Sequence, residues 1–407
     1  MNIVYINYED IIGRRFNGCN YALRWMAAGD RCDMFVADKG SEFPFVHRVW
    51  PGKLYGLIHK ICRFIEKQCS LQNILLPPAL FYRRAIRQAD VIHANLISGS
   101  YLSFWELSLL SRVKPVILQL HEFSPMTGRC PYPVEGCLQW LDGCAECPDI
   151  GGIFPLKRDR AAFLWQYKKF VWQRSRCTMV VASNWLLSKV NQSPMFTHCP
   201  KHVIPFGLDL TLFQPGDRTK SRYEFGIRQD AFVIFFRALA SPYKGLETIR
   251  QALKKLALNH PVTLITINGV GLLDDLKDRY EIQEHNWVGD EQAIVRFFHA
   301  ADLFLMPSSQ ESFGMMAMEA MACGIPSIVT QGTPLEEVAC VPEGGIAIPV
   351  NDAEALCAAI ADLAEDDAKR SRMGRKAREL AVQRYDFNRT AAALYQLYRE
   401  VASRNTA

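Results

Sequence analysis

The stretch Pro307-Ser-Ser-Gln-Glu-Ser-Phe-Gly-Met-Met-Ala-Met-Glu-Ala-Met-Ala-Cys-Gly-Ile-Pro326 decides how this chain is read. An apolar run, Leu303–Pro307, enters it as a strand, and a helical pattern follows between Gly314 and Gly324, with Pro326 as a stop. Glu311 precedes the turn into that helix and Glu319 lies inside it. A helix start offers unbonded N–H groups and the positive end of a dipole, so the amides near Phe313, Gly314 and Met315 suit a phosphate. Eight residues at helical rise span about 12 Å. One carboxylate can then hold a sugar at one end of a diphosphate while the other holds a ribose hydroxyl at the far end. That outlines a nucleotide-sugar site. The alternative is an amphipathic helix with two solvated glutamates.

Working outward, Arg237 ends an apolar run, Phe232–Arg237, and Lys244 precedes Gly245 and a helical segment, Leu246–Leu258. A cation at a strand end and another at a helix start both fall at the carboxyl edge of a parallel sheet, where ligands bind. Arg237 and Lys244 are therefore candidates to clamp a diphosphate as it leaves. Taken alone, they read equally well as solvated surface cations. Asn268-Gly269-Val-Gly271 follows the next run, and a tight turn explains it as well as a ligand loop does. His285-Asn-Trp-Val288-Gly289 closes another strand edge, positioned for backbone contact with a nucleobase, unless Trp287 is core.

Short apolar runs alternate with amphipathic segments along the whole chain. In the first half they are Ile3–Asn7, Cys32–Ala37, Val91–Asn95, Pro115–His121 and Thr178–Ala182. In the second they are Phe232–Arg237, Val262–Ile267, Leu303–Pro307, Ser327–Thr330 and Ile346–Pro349. The alternation predicts an α/β protein of two doubly wound, Rossmann-like domains. The boundary is expected near Pro205, where Gly207 and then Pro215-Gly216 interrupt the pattern. This gives a first domain over residues 1–205 and a second over 206–385, with a terminal helix, 386–407, crossing back onto the first.

The chain has 407 residues, 49% hydrophobic and 22% charged, which is ordinary for a globular protein with good cores. No run of 18 apolar residues occurs, and the start, Met-Asn-Ile-Val-Tyr-Ile-Asn, reads as a buried strand rather than a signal peptide. A cytoplasmic location is the resulting expectation. Residues 1–205 carry 25 Lys and Arg against 15 Asp and Glu, net +10, whereas the remainder is net −5. The first half is thus expected to face something anionic: a membrane surface, a lipid-linked phosphate or nucleic acid. Of thirteen cysteines, nine are scattered and read as reduced, buried small hydrophobes.

Together, Arg237…Lys244-Gly245, Trp287-Val-Gly289, Ala301-Asp302…Pro307-Ser308 and Glu311-Ser-Phe-Gly314…Glu319-Ala-Met-Ala-Cys-Gly-Ile-Pro326 resemble the signature blocks of GT-B glycosyltransferases of family 4. The linker Ile204-Pro-Phe-Gly-Leu-Asp209 resembles that family's interdomain segment. The resemblance implies two Rossmann-like domains facing a central cleft, retention at the donor's anomeric carbon, and no catalytic divalent metal. It further implies front-face attack, with the leaving phosphate accepting the acceptor's proton. No Asp-x-Asp metal motif occurs in the chain, in keeping with that expectation.

In the family a histidine at the end of a first-domain strand lies beside the donor sugar, and His121 stands at that place. The family's Gly-Gly loop is replaced here by Ile11-Ile-Gly13-Arg-Arg-Phe-Asn-Gly18, so Gly13 or Gly18 is left to approach phosphate and Arg14 or Arg15 adds charge. Beyond His121 come Cys130, Cys137, Cys144 and Cys147, spaced C-x6-C-x6-C-x2-C. Four thiolates can complete a structural zinc site, although the spacing is irregular for one; free thiols or a local disulfide are the alternatives. The loop, with Trp140 and Gly143, resembles one in family 4 enzymes of colanic acid and O-antigen synthesis.

Lys157–Arg176 interleaves basic and aromatic residues, among them Lys168, Lys169 and Arg174. Such a helix can lie on an anionic membrane, stack on nucleic acid, or sit half-buried with its lysines snorkelling. Leu54–Cys69 with Arg83, Arg84 and Arg87 adds a second basic, apolar region and favours the membrane over nucleic acid. The expectation is a retaining glycosyltransferase moving a hexose-type sugar from a nucleotide diphosphate to a glycan acceptor. That acceptor is expected to be lipid-linked, at the inner face of the cytoplasmic membrane, in surface polysaccharide synthesis. The rival readings are a sugar-nucleotide epimerase of the same architecture and a zinc-containing nucleic-acid binder.

Overall fold

The computed structural model describes residues 1–81 and 83–404. The chain divides into two compact units. One comprises Met1–Gly207 and the chain from Asn388 onward; the other is Leu208–Phe387. The first contains strands β1 (Asn2–Glu9), β2 (Arg31–Asp38), β3 (Val46–Arg48), β4 (Val91–Ala94), β5 (Val116–Leu120), β6 (Thr178–Val181) and β7 (Lys201–Val203). The second contains β8 (Phe232–Arg237), β9 (Val262–Ile267), β10 (Glu281–His285), β11 (Leu303–Met306), β12 (Ser327–Thr330) and β13 (Gly345–Ile348).

Both sheets are parallel, with orders β3-β2-β1-β4-β5-β6-β7 and β10-β9-β8-β11-β12-β13. Strands β4, β5, β6 and β12 are buried at every residue, as expected where helices cover both faces and leave no polar alternation. All ten runs read from the sequence are strands, with ends within two residues of those expected. In each sheet the order reverses at one place, between β1 and β4 in the first and between β8 and β11 in the second. Loops leaving neighbouring strands there diverge to opposite faces and open a crevice at the carboxyl edge.

The final helix, Phe387–Ser403, is held to the first unit by polar contacts. Tyr398 Oη lies 2.6 Å from His93 Nδ1 and 3.2 Å from Tyr5 Oη. Tyr395 Oη lies 3.1 Å from Asp30, and its ring packs on Trp25 at 4.8 Å. Among the described residues, no helix is long and apolar enough to cross a membrane.

The two basic, apolar regions of the first half differ in what covers them. The basic-aromatic segment forms the helix Ala161–Trp172, with Leu164, Trp165, Lys168, Val171 and Trp172 buried. Lys168 is fully buried, and its ammonium donates to the carbonyls of Ser124 (2.7 Å), Thr127 (3.1 Å) and Gly128 (3.1 Å). One face of this helix is core, with Trp165 and Trp172 donating to the carbonyls of Trp140 (2.8 Å) and Pro125 (3.0 Å) in the loop that follows β5, while Phe163 and Phe170 on its other side are exposed. By contrast, the 18-residue helix Gly52–Cys69 buries only Glu66. Its apolar residues Leu54, Leu57, Ile61, Phe64 and Ile65 recur at helical spacing, and all are exposed, Leu54 at 68% and Phe64 at 63%. The Glu66 carboxylate tethers the helix by accepting from the amides of Ile74 (2.7 Å) and Leu75 (2.8 Å). His59 adds a contact to the Ser100 carbonyl at 3.1 Å and stacks on Trp50.

Candidate functional site

In the second unit, Arg237 is the last residue of β8 and Glu311 lies in the loop leaving β11, on the two sides of the switch point. The turn before the helix Leu246–Lys255 brings Lys244 to the same edge. Lys244 Nζ lies 2.6 Å from Glu311 Oε1 and 3.3 Å from the Gln310 carbonyl. The pair is partly covered, with side-chain exposures of 30% and 12%. Gly245 is required for this approach: its φ is +72°, and an added Cβ would stand 2.2 Å from the Pro307 carbonyl oxygen. Ser309 N–H donates to the Tyr243 carbonyl at 3.0 Å and locks the two loops together.

The helix Met315–Ala322 starts at Gly314, and Glu319 projects from it at 1% exposure. Glu319 is therefore not a solvated surface acid. The guanidinium of Arg237 lies in the field of Glu311 and Glu319 together. Phe313 is buried, and Met315 begins the helix. The structure thus brings Arg237, Lys244, Glu311 and Glu319 to one edge beside a helix start. Gly269 packs against Ala238 at the next loop, where a Cβ would meet its carbonyl oxygen at 2.6 Å. Val288 is half-buried, and Trp287 is 61% exposed rather than core. Asp302, part of the resembling block, is structural. It receives Arg218 at 2.7 Å, Arg222 at 2.5 Å and the Val233 amide at 2.8 Å.

In the first unit, His121 follows β5 and Asn95 follows β4, and His121 Nε2 bonds Asn95 Oδ1 at 2.9 Å. The imidazole stacks on Phe206 at 5.6 Å with an interplanar angle of 5°, and Phe16 packs 5.5 Å away. The loop after β1 carries Gly13 and Gly18 at φ +73° and +96°, where Cβ atoms would strike the rings of Phe16 and Tyr5. Both glycines are thus demanded by the loop's own packing, whatever it binds. Asn17 laces this loop by donating to the carbonyls of Glu9 (2.9 Å), Asp10 (3.2 Å) and Ile12 (3.2 Å). Reading the sequence missed Asn17, Asn95, Phe16 and Phe206. Each is an ordinary residue in sequence; only convergence places Asn95, Phe16 and Phe206 beside His121, and Asn17 within the loop after β1.

Burial, reinforced by neighbouring His93, pushes His121 down to about 3. Burial does the same to His93, also to about 3. Both are neutral in the folded state at neutral pH, whereas in the unfolded chain each takes a proton near pH 6.5. Between about pH 6.5 and 3 the unfolded state binds more protons, so folding stability falls as pH falls through that window. Urea midpoints measured from pH 7.5 to 4 should show this slope, and His121→Gln should make it shallower. An unchanged slope in that variant would show that His121 does not titrate as its burial demands.

The four cysteines Cys130, Cys137, Cys144 and Cys147 line a single pocket in the loop after β5. Among the described residues, no set of three or more His, Cys, Asp or Glu stands in a metal-holding arrangement.

Residues 217–380, nearly all of the second unit, match the family of glycosyl transferases group 1. A D-inositol 3-phosphate glycosyltransferase of Paenarthrobacter aurescens is 31% identical over 212 residues, covering 49% of this chain and 52% of that protein. The chain spans about half the length of the curated relatives it matches. Among solved structures, sucrose-phosphate synthase of Thermosynechococcus elongatus superposes with a TM-score of 0.69 at 18% identity, covering 98% of each chain. HepE of Anabaena in complex with UDP-glucose gives a TM-score of 0.64 at 18% identity, covering 98% of this chain and 99% of that one. The fold is the GT-B fold of two Rossmann-like units, and the match to glycosyl transferases group 1 falls within the second of them.

Proposed function

We propose that this protein is a retaining glycosyltransferase that takes its sugar from a nucleoside diphosphate. The observation that carries the reading is the gathering of Arg237, Lys244, Glu311 and Glu319 at the switch point of the second sheet, next to a helix start. A diphosphate entering there meets two cations and free amides, and each glutamate is placed to accept from hydroxyls. Lys244 and Glu311 occupy each other until the donor arrives. On binding, Lys244 then turns to the diphosphate and Glu311 to the sugar, while Glu319 takes the ribose. The backbone at Gly269 and Val288 borders the base.

In the reaction, the bond from the anomeric carbon to phosphate oxygen breaks as the acceptor oxygen bonds the same face. The acceptor's proton passes to the departing phosphate. In the first unit, His121, stacked on Phe206, is the residue assigned to the sugar. Arg237 and Lys244 supply the positive charge that a metal supplies in other transferases, so added magnesium should not change the rate.

UDP-glucose, held by the Anabaena neighbour, is the first donor to try. Nucleoside diphosphate released only when an acceptor is added supports a transferase. An isomerised sugar nucleotide formed without any acceptor would replace it by an epimerase, and a salt-sensitive shift of an oligonucleotide would favour a nucleic-acid binder. For the acceptor, the reading is a lipid-linked glycan of surface polysaccharide synthesis. Support comes from the cysteine loop's resemblance and from the exposed apolar stripe of Gly52–Cys69, flanked by exposed Lys53, Lys60, Arg63 and Lys67. Such a helix suits the headgroup boundary of an anionic membrane. A soluble phosphorylated acceptor is the second reading, favoured by the name of the inositol phosphate relative.

Sedimentation with vesicles separates the two. Binding to anionic vesicles should weaken by about 1 kcal/mol for each of Lys60, Arg63 and Lys67 changed to Glu, and should fall at high salt. Leu57, Ile61 and Phe64 changed together to Gln should abolish it. Failure of the unaltered protein to bind vesicles at low salt would turn the acceptor reading to a soluble one.

A further inference from the structure

The loop after β5 contains a charge problem that the donor-site reading leaves unexplained. Arg129 is 1% exposed and Lys168 fully buried. Among the described residues, neither forms an ion pair with a carboxylate. Lys168 is held by neutral groups, three backbone carbonyls, the Gln72 amide oxygen at 3.5 Å and the Phe104 ring at 5.5 Å, with Glu122 acting on it at longer range. Arg129 Nη1 donates to the carbonyls of Asp149 (3.0 Å) and Ile150 (2.6 Å), and its Nε and Nη2 have no partner. Two buried cations without anions are costly unless something nearby supplies negative charge.

What lies nearby is sulfur. Arg129 and Gly128 line the same pocket as Cys130, Cys137, Cys144 and Cys147. Its free volume is about 20 Å³, room for one small atom. The Gly128 amide donates to Cys144 Sγ at 3.1 Å. That contact depends on glycine, since a Cβ at Gly128 would lie 2.5 Å from the Ala161 carbonyl oxygen. The charge of Lys168 acts on Cys130 and Cys144. Cys144 and Glu146 both adopt positive φ, at +54° and +52°, folding Cys144-Ala-Glu-Cys147 into a tight knuckle.

We propose that Cys130, Cys137, Cys144 and Cys147 bind one structural zinc ion as a tetrathiolate, with Arg129 and Lys168 as its buried counter-charges. A divalent ion with four thiolates carries two negative charges, which the two cations cancel. The four thiols lose their protons to solvent as the ion binds. The ion ties the loop onto the helix Ala161–Trp172 and so fixes the chain that leaves His121. The site lies within the first unit and is independent of the donor-site reading.

Elemental analysis of the purified full chain should find about one zinc per molecule, with these four thiols protected from alkylation until the zinc is removed. Cobalt in its place should give the intense visible bands and sulfur-to-metal charge transfer of a tetrahedral tetrathiolate. Arg129→Met should lose zinc to a chelating dye with about 10–100-fold weaker affinity, while Arg174→Met, at an exposed position, should not. Metal-free protein with four freely alkylated thiols would overturn the proposal, as would disulfides among the four seen by mass. Zinc bound with unchanged affinity in Arg129→Met would overturn the counter-charge role.

Discussion

Lys244→Ala is expected to lower turnover about 30- to 1000-fold, the equivalent of roughly 2–4 kcal/mol of transition-state stabilisation. The reasoning starts from geometry. Lys244 stands 2.6 Å from Glu311 and at the same edge as Arg237, and it is held there by a glycine that allows the two loops to touch. As the diphosphate departs, negative charge grows on its oxygens, and a fixed cation stabilises it more than it stabilises the ground state. Folding should be preserved, because a side chain 30% exposed at a sheet edge supports no core. Thermal unfolding and donor turnover on one preparation separate the two effects. Lys244→Arg should recover part of the rate, since the charge is restored with different reach. Near-normal turnover in Lys244→Ala would remove the clamp from the mechanism.

The largest expected effect on stability lies far from that edge. Lys168→Met should destabilise the first unit by about 3–5 kcal/mol, because it leaves the Ser124, Thr127 and Gly128 carbonyls buried without their donor. The Tm of the first unit should drop on the order of 10 °C. Lys168→Glu should be worse, placing a carboxylate among three carbonyl oxygens. By comparison, Lys60→Glu on the exposed helix Gly52–Cys69 should leave Tm almost unchanged while weakening membrane binding. A Lys168→Met protein as stable as the parent would show that its ammonium is not needed beneath this loop.

These two lysines mark the division between what was legible in the sequence and what was not. The sequence alone determined the architecture. Runs such as Leu303–Pro307 and Thr178–Ala182 are almost wholly apolar and short, and such runs form strands buried on both faces wherever helices alternate with them. It also placed the residues that follow strands, because a residue just past a parallel strand falls at the carboxyl edge whatever packs around it. Arg237 was legible for that reason, and Lys244, Glu311 and Glu319 from the helix starts they accompany and from their resemblance to the family's blocks. The three-residue strands β3 and β7 do not show as such runs, since each pairs with one neighbour at a sheet edge and is too short to show a period.

Only the tertiary structure decided which amphipathic helix is core and which is surface. Lys157–Arg176 and Leu54–Cys69 present the same mixture of basic and apolar residues, and helical periodicity states that a face exists without stating what covers it. The first meets the loop after β5 and loses Lys168 to the interior; the second meets solvent with its apolar stripe outward. In the same way, His121 gained its neighbours from residues 16, 95 and 206, and Arg129 came to line the pocket of four cysteines. Local preference acts over a few residues. Burial and charge balance depend on contacts between residues distant in the chain, and they exist only once the sheets have assembled.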